Sequence, residues 1–299
     1  MKKATAELFI ASLLWGFAFI SVVWALEVYT PLAIVTLRFL VVALLAIPAA
    51  LFFRSFRKDL SLDLLRATFL PGAFLASTLL LQTFGLKYTS ATNSGFITTL
   101  YVLFTPLTES ILRRKRPSKQ LMTGIAIAVL GTAFICQIHK MKALNIGDVF
   151  TILCAWTAVG QFISLSHIVP KMKVSAFAFN IGQSFWIALL CGVFMIGLEP
   201  LPKLVLDPMT KPFWGMVTLS LGASLIAFFF QIRAQRVLSA STASLICLME
   251  SPFAAFFAAL FLHERFSGWQ IMGALLILCA AILAVKDSSE APTPIHGNA

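Results

Sequence analysis

The stretch Ser239–Leu262, SASTASLICLMESPFAAFFAALFL, is apolar, is long enough to cross a bilayer, and carries one carboxylate, Glu250, near its middle. A second stretch, Ser90–Leu112, SATNSGFITTLYVLFTPLTESIL, aligns with it without a gap when the chain is shifted by 149 positions. The same shift pairs residues that flank the two stretches: Gln82 with Gln231, Lys87 with Arg236, Arg116 with Arg265, Ser118 with Ser267 and Gly124 with Gly273. The chain therefore contains two copies of one pattern.

The composition indicates that most of the chain lies in lipid. Hydrophobic residues make up 59% of the sequence and charged residues 12%, with a mean hydropathy of +0.92, whereas a soluble domain is about 25% charged. The apolar runs are continuous, which favours helices over the alternating strands of a membrane β-barrel. Windows of about 19 residues predict ten transmembrane helices: Leu8–Leu26, Leu32–Phe53, Thr68–Leu86, Ala91–Leu112, Leu121–Ile138, Val149–Val169, Ala176–Leu198, Phe213–Ile232, Ser241–Leu262 and Ile271–Val285.

The positions of the basic residues predict the orientation of the chain. With both termini in the cytoplasm, only six of the 23 Lys and Arg residues face outward: Lys87, Lys140, Lys142, Lys203, Lys211 and Arg265. Arg38 lies within a span, and the other 16 face the cytoplasm, as the positive-inside rule requires. The net charge of +11 therefore reflects membrane orientation, and we expect no nucleic-acid partner.

Each half has five predicted spans, an odd number, so the two halves enter the membrane in opposite directions. The loop charges agree, because RRKRPSK after the fourth span is strongly basic and its counterpart after the ninth, HERFSGW, is not. We predict an all-α membrane protein of ten transmembrane helices, built as two inverted five-helix repeats over residues 7–138 and 148–286. A disordered polar tail is predicted over residues 287–299.

Each half also carries a tryptophan in its first helix, Trp15 or Trp156, and a long signature over its fourth and fifth helices. The signatures are YTSATNSGFITTLYVLFTPL followed by RRKRPS, and SASTASLICLMESPFAAFFAALFLHERFSGWQIMGALLI. These features resemble the paired EamA modules of the drug/metabolite transporter superfamily. The first copy differs by having Tyr101 where the second has Glu250. The resemblance implies a basket of helices around a central cavity that moves small polar metabolites by alternating access.

Glu250 is the leading candidate for substrate binding. Ionising a carboxyl at the middle of a span costs about 3 kcal/mol unless water or a partner compensates, so the residue indicates a site for a proton or a substrate amine. The alternative is a permanently protonated packing residue. Pro252 follows closely, removes a backbone donor and predicts a break in the helix that exposes polar backbone. Tyr101 is expected to lie opposite Glu250 because the two positions are equivalent.

Arg38 is the second charge within a span. It either extends to the outer headgroups or pairs with Glu250 or with a substrate carboxylate. Two further candidate pairs occupy equivalent places in the halves, either lining a cavity at the axis between them or packing helices: Gln82 with Gln231, and Trp15 with Trp156. Glu109, with Arg113 four residues later, predicts an interfacial ion pair.

No phosphate-binding loop, zinc-protease motif or histidine cluster occurs in the sequence, so we expect no enzyme activity, cofactor or metal. The sequence predicts a secondary transporter, proton-coupled or facilitative, in a bacterial inner membrane. Its expected partners are lipid, protons and a small-molecule substrate, most simply an amino acid or related compound that is exported. Two alternatives remain: a non-transporting membrane scaffold or lipid-handling subunit, and an importer of a larger cofactor or nucleotide-like metabolite.

Overall fold

The computed structural model describes residues 2–86, 88–89, 97–114, 116–138, 145–262 and 267–290. Within these residues the elements are helical and no β-strand occurs. The helices are α1 Lys2–Ala25, α2 Pro31–Leu44, α3 Ala46–Phe52, α4 Arg54–Asp59, α5 Leu62–Leu86, α6 Tyr101–Arg113, α7 Lys119–Ile135, α8 Ile146–Ile168, α9 Ala176–Leu198, α10 Lys211–Val217, α11 Phe228–Ala234, α12 Ala240–Cys247, α13 Glu250–Leu262 and α14 Gly268–Glu290. A π-helical segment, Thr218–Ala227, joins α10 to α11.

Eight helical spans in the described part of the chain are long and apolar enough to cross a membrane. They correspond to the predicted spans except the fourth and fifth. The fifth is the shorter helix α7, of 17 residues, and the fourth is described only from residue 97 onward. The predicted count of ten therefore stays a prediction. The last helix, α14, continues to Glu290, four residues into the predicted tail, and residues 291–299 lie outside the described ones.

Local sequence explains where several helices begin. Pro31 occupies the first turn of α2, where a missing N–H costs nothing, and the Thr30 hydroxyl accepts a bond from Ala33 N. Asn145 and Asp148 form a capping box at the start of α8. The residues between the second and third predicted spans contain the short helix α4, and the third span starts at Leu62, six residues before its predicted start at Thr68.

The fifth helices of the two halves, α7 and α14, pack on each other in an antiparallel arrangement. A Cβ atom at Gly131 of α7 would lie 2.8 Å from the carbonyl oxygen of Gly273 in α14, and one at Gly124 would lie 3.5 Å from that of Ala280. The partner number falls as the residue number rises, so these two fifth helices run in opposite directions. This is the relation that insertion of the two halves in opposite directions requires.

The first helix of each half packs against the third and fourth helices of the other half. Helix α1 contacts α13 and the segment from α10 to α11, and α8 contacts α5 and α6 in the same way. The second helices, α2 and α9, also pack directly on each other. Each half therefore depends on the other for its core, and the candidate residues on these helices meet between the halves.

Candidate functional site

The fourth helices of the two halves are interrupted at equivalent places. Helix α12 ends at Cys247 and α13 begins at Glu250, while α6 begins at Tyr101 directly after a turn at Leu100. Both following helices are 13 residues long. Tyr101 and Glu250, which the sequence shift equates, are thus each the first residue of a helix after a break. The break predicted at Glu250 is confirmed.

Backbone bonds at the two breaks are tightened in the same way. Met249 N donates to Ile246 O at 3.0 Å, and the equivalent Leu100 N donates to Ile97 O at 3.1 Å. In the second half Pro252 contributes to the interruption, because it has no N–H to donate to the carbonyl of Leu248, one turn back. The carbonyl of Leu248 accepts instead from Ser251 N at 3.0 Å, so this turn is also closed by a bond over three residues.

Glu250 is half-buried at its break and forms no ion pair with any described residue. The buried Tyr101 ring stacks on Phe162 of α8 with centroids 5.5 Å apart. Tyr101 and Met249, the residue before Glu250, belong to the same part of the core. The two equivalent positions therefore lie in one region of the structure, and Glu250 keeps a partly accessible face.

Trp15 lies on α1 beside this pair and packs against two parts of the core. One part contains Tyr101 and Met249, and the other contains Phe39. The centroid of its ring is 5.2 Å from that of the Phe228 ring, and its Nε1 donates a hydrogen bond of 3.1 Å to the carbonyl of Ala223.

The next residue, Gly16, lets α1 approach α13 closely. A Cβ atom there would lie only 2.4 Å from that of Phe253. A larger residue at this position would therefore separate the helix that carries Trp15 from the helix that begins at Glu250.

The carbonyl that receives Trp15 belongs to the π-helical segment Thr218–Ala227. A π-helix bonds each N–H five residues back and is frequently found at functional sites. Asn180 of α9 donates to two more carbonyls of this segment, those of Ser224 at 3.1 Å and Leu225 at 2.9 Å. Sequence reasoning missed this arrangement, and its visible signal was the pair of amide side chains, Asn180 and Gln183, in a largely apolar span.

Arg38 forms no ion pair with a described acidic residue, Glu250 included. Its guanidinium carbon is 4.9 Å from the centroid of the Phe39 ring, and the Phe39 ring is 5.9 Å from that of Phe228. Its Nε atom is buried and has no hydrogen-bond partner among the described residues. An Arg38–Glu250 pair, one of the three predicted alternatives, is therefore not formed.

The two glutamines that the sequence shift equates have different surroundings. Gln231 is buried and exchanges hydrogen bonds of 3.3 and 3.4 Å with Gln161 of α8. Gln82 is half-buried near the end of α5. Trp156, the counterpart of Trp15, is 47% exposed and stacks flat on Phe104 with centroids 4.6 Å apart. The symmetry of the sequence is therefore not repeated in the contacts of these pairs.

Polar contacts between the halves gather at the predicted cytoplasmic end. Arg233 contacts Glu7 at 2.8 Å and thereby joins α11 to α1. Glu109 of α6 accepts bonds from the backbone N and hydroxyl of Ser241, at the start of α12. Arg113 lies 2.9 Å from Glu109, which confirms the predicted ion pair. The bond to Ser241 was not predicted, because nothing in the local sequence indicates which helix start Glu109 reaches.

A groove of about 270 Å³ lies between α13 and α14. Two neighbours of Glu250 in the sequence line it, but the Glu250 side chain is not part of its lining. Its lining is almost wholly apolar: Met249, Pro252, Phe256, Gln270, Ile271, Ala274, Leu275 and Leu278. Such a lining suits a lipid chain better than a polar metabolite. Over the part of the chain that the structure describes, no three His, Cys, Asp or Glu residues cluster as metal ligands would.

Comparisons with known proteins agree with this architecture. Residues 4–137 and 145–286 each match the model of the EamA-like transporter family. A protein of Archaeoglobus fulgidus described as an uncharacterized transporter is 29% identical over 285 residues, which cover 95% of this chain and 86% of that protein. A solved crystal structure, 16% identical, superimposes with a TM-score of 0.77 over 97% of this chain and 100% of the other. At that identity the likeness concerns the fold alone.

Proposed function

Because the chain belongs to the EamA-like transporter family, we propose that it is a secondary carrier that exports amino acids or related small polar metabolites in exchange for protons. Family membership and the similarity to an uncharacterized transporter support membrane transport itself. The substrate class, the direction and the coupling are our proposals. We place the carrier in a bacterial inner membrane with both termini in the cytoplasm.

The environment of Glu250 is the observation that carries this proposal. A half-buried carboxyl at a helix break, within a span and without a cationic partner among the described residues, is costly to ionise. Such a group is stabilised either by binding a proton or by binding a positively charged amine. Because the two cations compete for one carboxylate, a proton that arrives from outside displaces an amine bound from inside. This competition is sufficient to couple export to an inward proton gradient.

Alternating access requires contacts that close one end of the carrier and can be broken. The bonds Glu7–Arg233 and Glu109–Ser241 connect opposite halves at the predicted cytoplasmic end. The two helix breaks, at Leu100 and at Leu248–Met249, provide points at which the fourth helices can bend. These features support a cycle in which the cytoplasmic end opens when the polar contacts separate.

A flux assay tests the proposal. Purified protein in liposomes is preloaded with a mixture of labelled amino acids, and their efflux is followed after the external buffer is acidified. We expect acidification to accelerate efflux from liposomes with the wild-type protein, and we expect Glu250→Gln to abolish this acceleration, because an amide does not bind a proton at neutral pH. Glu27→Gln, an exposed acid in the loop between α1 and α2, is the matched control and should behave as wild type.

Two results would contradict the proposal. Unchanged pH dependence in Glu250→Gln, with correctly folded protein, would remove Glu250 from the coupling mechanism. Absence of flux for all amino acids in the wild-type protein would instead favour one of the alternatives, the membrane scaffold or the importer of a larger metabolite.

A further inference from the structure

Arg38 is a cation within a membrane span that lacks a counter-ion in the described structure. It is half-buried on α2, and its Nε atom is fully buried without a hydrogen-bond acceptor. No described carboxylate pairs with it. A guanidinium has only donors and stays charged, so it cannot relieve this situation by losing its proton.

An unpaired charge inside the membrane is expensive, and arginine in such a place normally pairs with an acid, with backbone carbonyls or with a ligand. Extension to the outer headgroups would leave the Nε atom free to meet water or phosphate. The observed Nε is instead enclosed, and the guanidinium carbon lies over the Phe39 ring. The side chain is therefore held within the span, where an anion would offset its charge.

The layer between α2 and α9 contains other polar atoms that lack partners. The hydroxyls of Thr36 on α2 and Ser184 on α9 are buried without hydrogen bonds, and so is Oε1 of Gln183. Buried polar atoms in folded proteins almost always have a partner, which is often water or a ligand when no protein group serves. The two hydroxyls can donate to an anion, whereas Oε1 of Gln183 can only accept, for example from a bridging water.

We propose that Arg38 binds the carboxylate of the transported substrate. This inference rests on the proposed carrier function and narrows its substrate class to amino acids, which carry a carboxylate as well as an amine. Trp15 packs both against the part of the core that contains Tyr101 and Met249 and against the part that contains Phe39. Phe228 connects these two parts, because its ring contacts both the Trp15 ring and the Phe39 ring.

Ligand-induced thermal stabilisation in detergent tests this assignment directly, because a compound that binds only the folded protein raises its Tm. The probes are L-amino acids, the amines that result from their decarboxylation, their methyl esters, and inorganic phosphate. We expect stabilisation by one or more amino acids and not by the corresponding amine or ester. Arg38→Met should weaken this binding about 10- to 100-fold, the loss expected for charge-assisted hydrogen bonds.

Two further variants make the result specific. Arg38→Lys keeps the charge but loses the planar fork, so we expect an affinity between those of the wild type and Arg38→Met. Arg66→Met is the control, because the Arg66 side chain is 73% exposed and forms a surface pair with Asp63, at 3.9 Å. Its ligand affinity should equal that of the wild type.

Several outcomes would overturn the assignment. Equal stabilisation by amino acids and their amines, unaffected by Arg38→Met, would show that the carboxylate is not recognised there, while the carrier function would stand if either compound is transported. Stabilisation through Arg38 by phosphate alone would show an anion site unrelated to amino acids. If no probe binds or is transported by the wild-type protein, the proposed function fails together with this inference.

Discussion

Glu7 and Arg233 form an ion pair with an oxygen-to-nitrogen distance of 2.8 Å that links the first helix of one half to the third helix of the other. Asp148, the residue equivalent to Glu7 in the second half, has a different use: it caps the start of α8 and accepts a bond from Thr89. The Glu7–Arg233 pair joins the two halves at the predicted cytoplasmic end, where a gate needs a contact that can be broken.

We expect Glu7→Gln to favour opening of that end, because it leaves Arg233 without its partner. We expect the free-energy difference between the closed and open states to change by about 1–2 kcal/mol, which changes the ratio of open to closed protein 5- to 30-fold. Opening can be measured with Ser12→Cys in a protein whose five native cysteines are replaced by alanine. Ser12 is buried on α1, so a cysteine there reacts only when the end opens. Its reaction with a maleimide should be faster in Glu7→Gln.

The charge swap Glu7→Arg with Arg233→Glu is the control for this prediction. The swap rebuilds an ion pair between the same two helices, so the cysteine should react more slowly than in either single variant. Equal reactivity in the swap and in both singles would mean that the pair does not hold the end closed.

The contact between Glu109 and Ser241 predicts a measurable loss of stability in Glu109→Gln. The carboxylate accepts two bonds from Ser241 at the start of α12 and also meets Arg113, and an amide cannot replace all three. Loss of bonds to a charged group costs about 1–3 kcal/mol, which lowers the Tm by several degrees. Asp63→Asn, whose side chain is 86% exposed, is the matched control and should leave the Tm unchanged.

We expect Gly273→Ala to destabilise the protein, because even a methyl group is too large at the crossing of α7 and α14. A Cβ atom there would lie 2.5 Å from the carbonyl oxygen of Gly131, so the helices must separate. Overpacking of this kind costs about 1–3 kcal/mol, which a thermal unfolding curve in detergent resolves. Gly197→Ala is the control, because no atom lies within 4 Å of a Cβ atom there. An equal effect of both substitutions would attribute the loss to backbone changes rather than to the crossing.

We expect the side chain of Asn180 to stabilise the π-helical segment. Asn180→Leu removes the donor to the carbonyls of Ser224 and Leu225, and each buried carbonyl left without a donor costs about 1–3 kcal/mol. We expect faster amide hydrogen exchange across residues 218–227 in this variant. Trp15→Phe removes one donor from the same segment and should have a smaller effect. Unchanged exchange in Asn180→Leu would show that the segment is stable without the side chain.

The sequence by itself determined the features that depend on local chemistry and on duplication. Hydropathy identified eight spans that the described part of the structure contains, because lipid forces each span to satisfy its own backbone. The internal shift correctly equated Tyr101 with Glu250, and Pro252 correctly predicted a helix break there. Glu109 and Arg113, four residues apart on one helix, were predicted as a pair for the same reason: their separation is fixed by helix geometry.

Tertiary structure alone decided which helices of opposite halves meet, and with them the contacts around the site. The pairs Glu7–Arg233 and Glu109–Ser241 join residues far apart in the chain, and so do the bonds of Trp15 and Asn180 to the π-helical segment. One apolar helix face is chemically much like another, so hydropathy does not specify its partner. Close packing of particular side chains selects the partner, and that selection made Trp15 and Trp156, equivalent in the sequence, different in the folded protein.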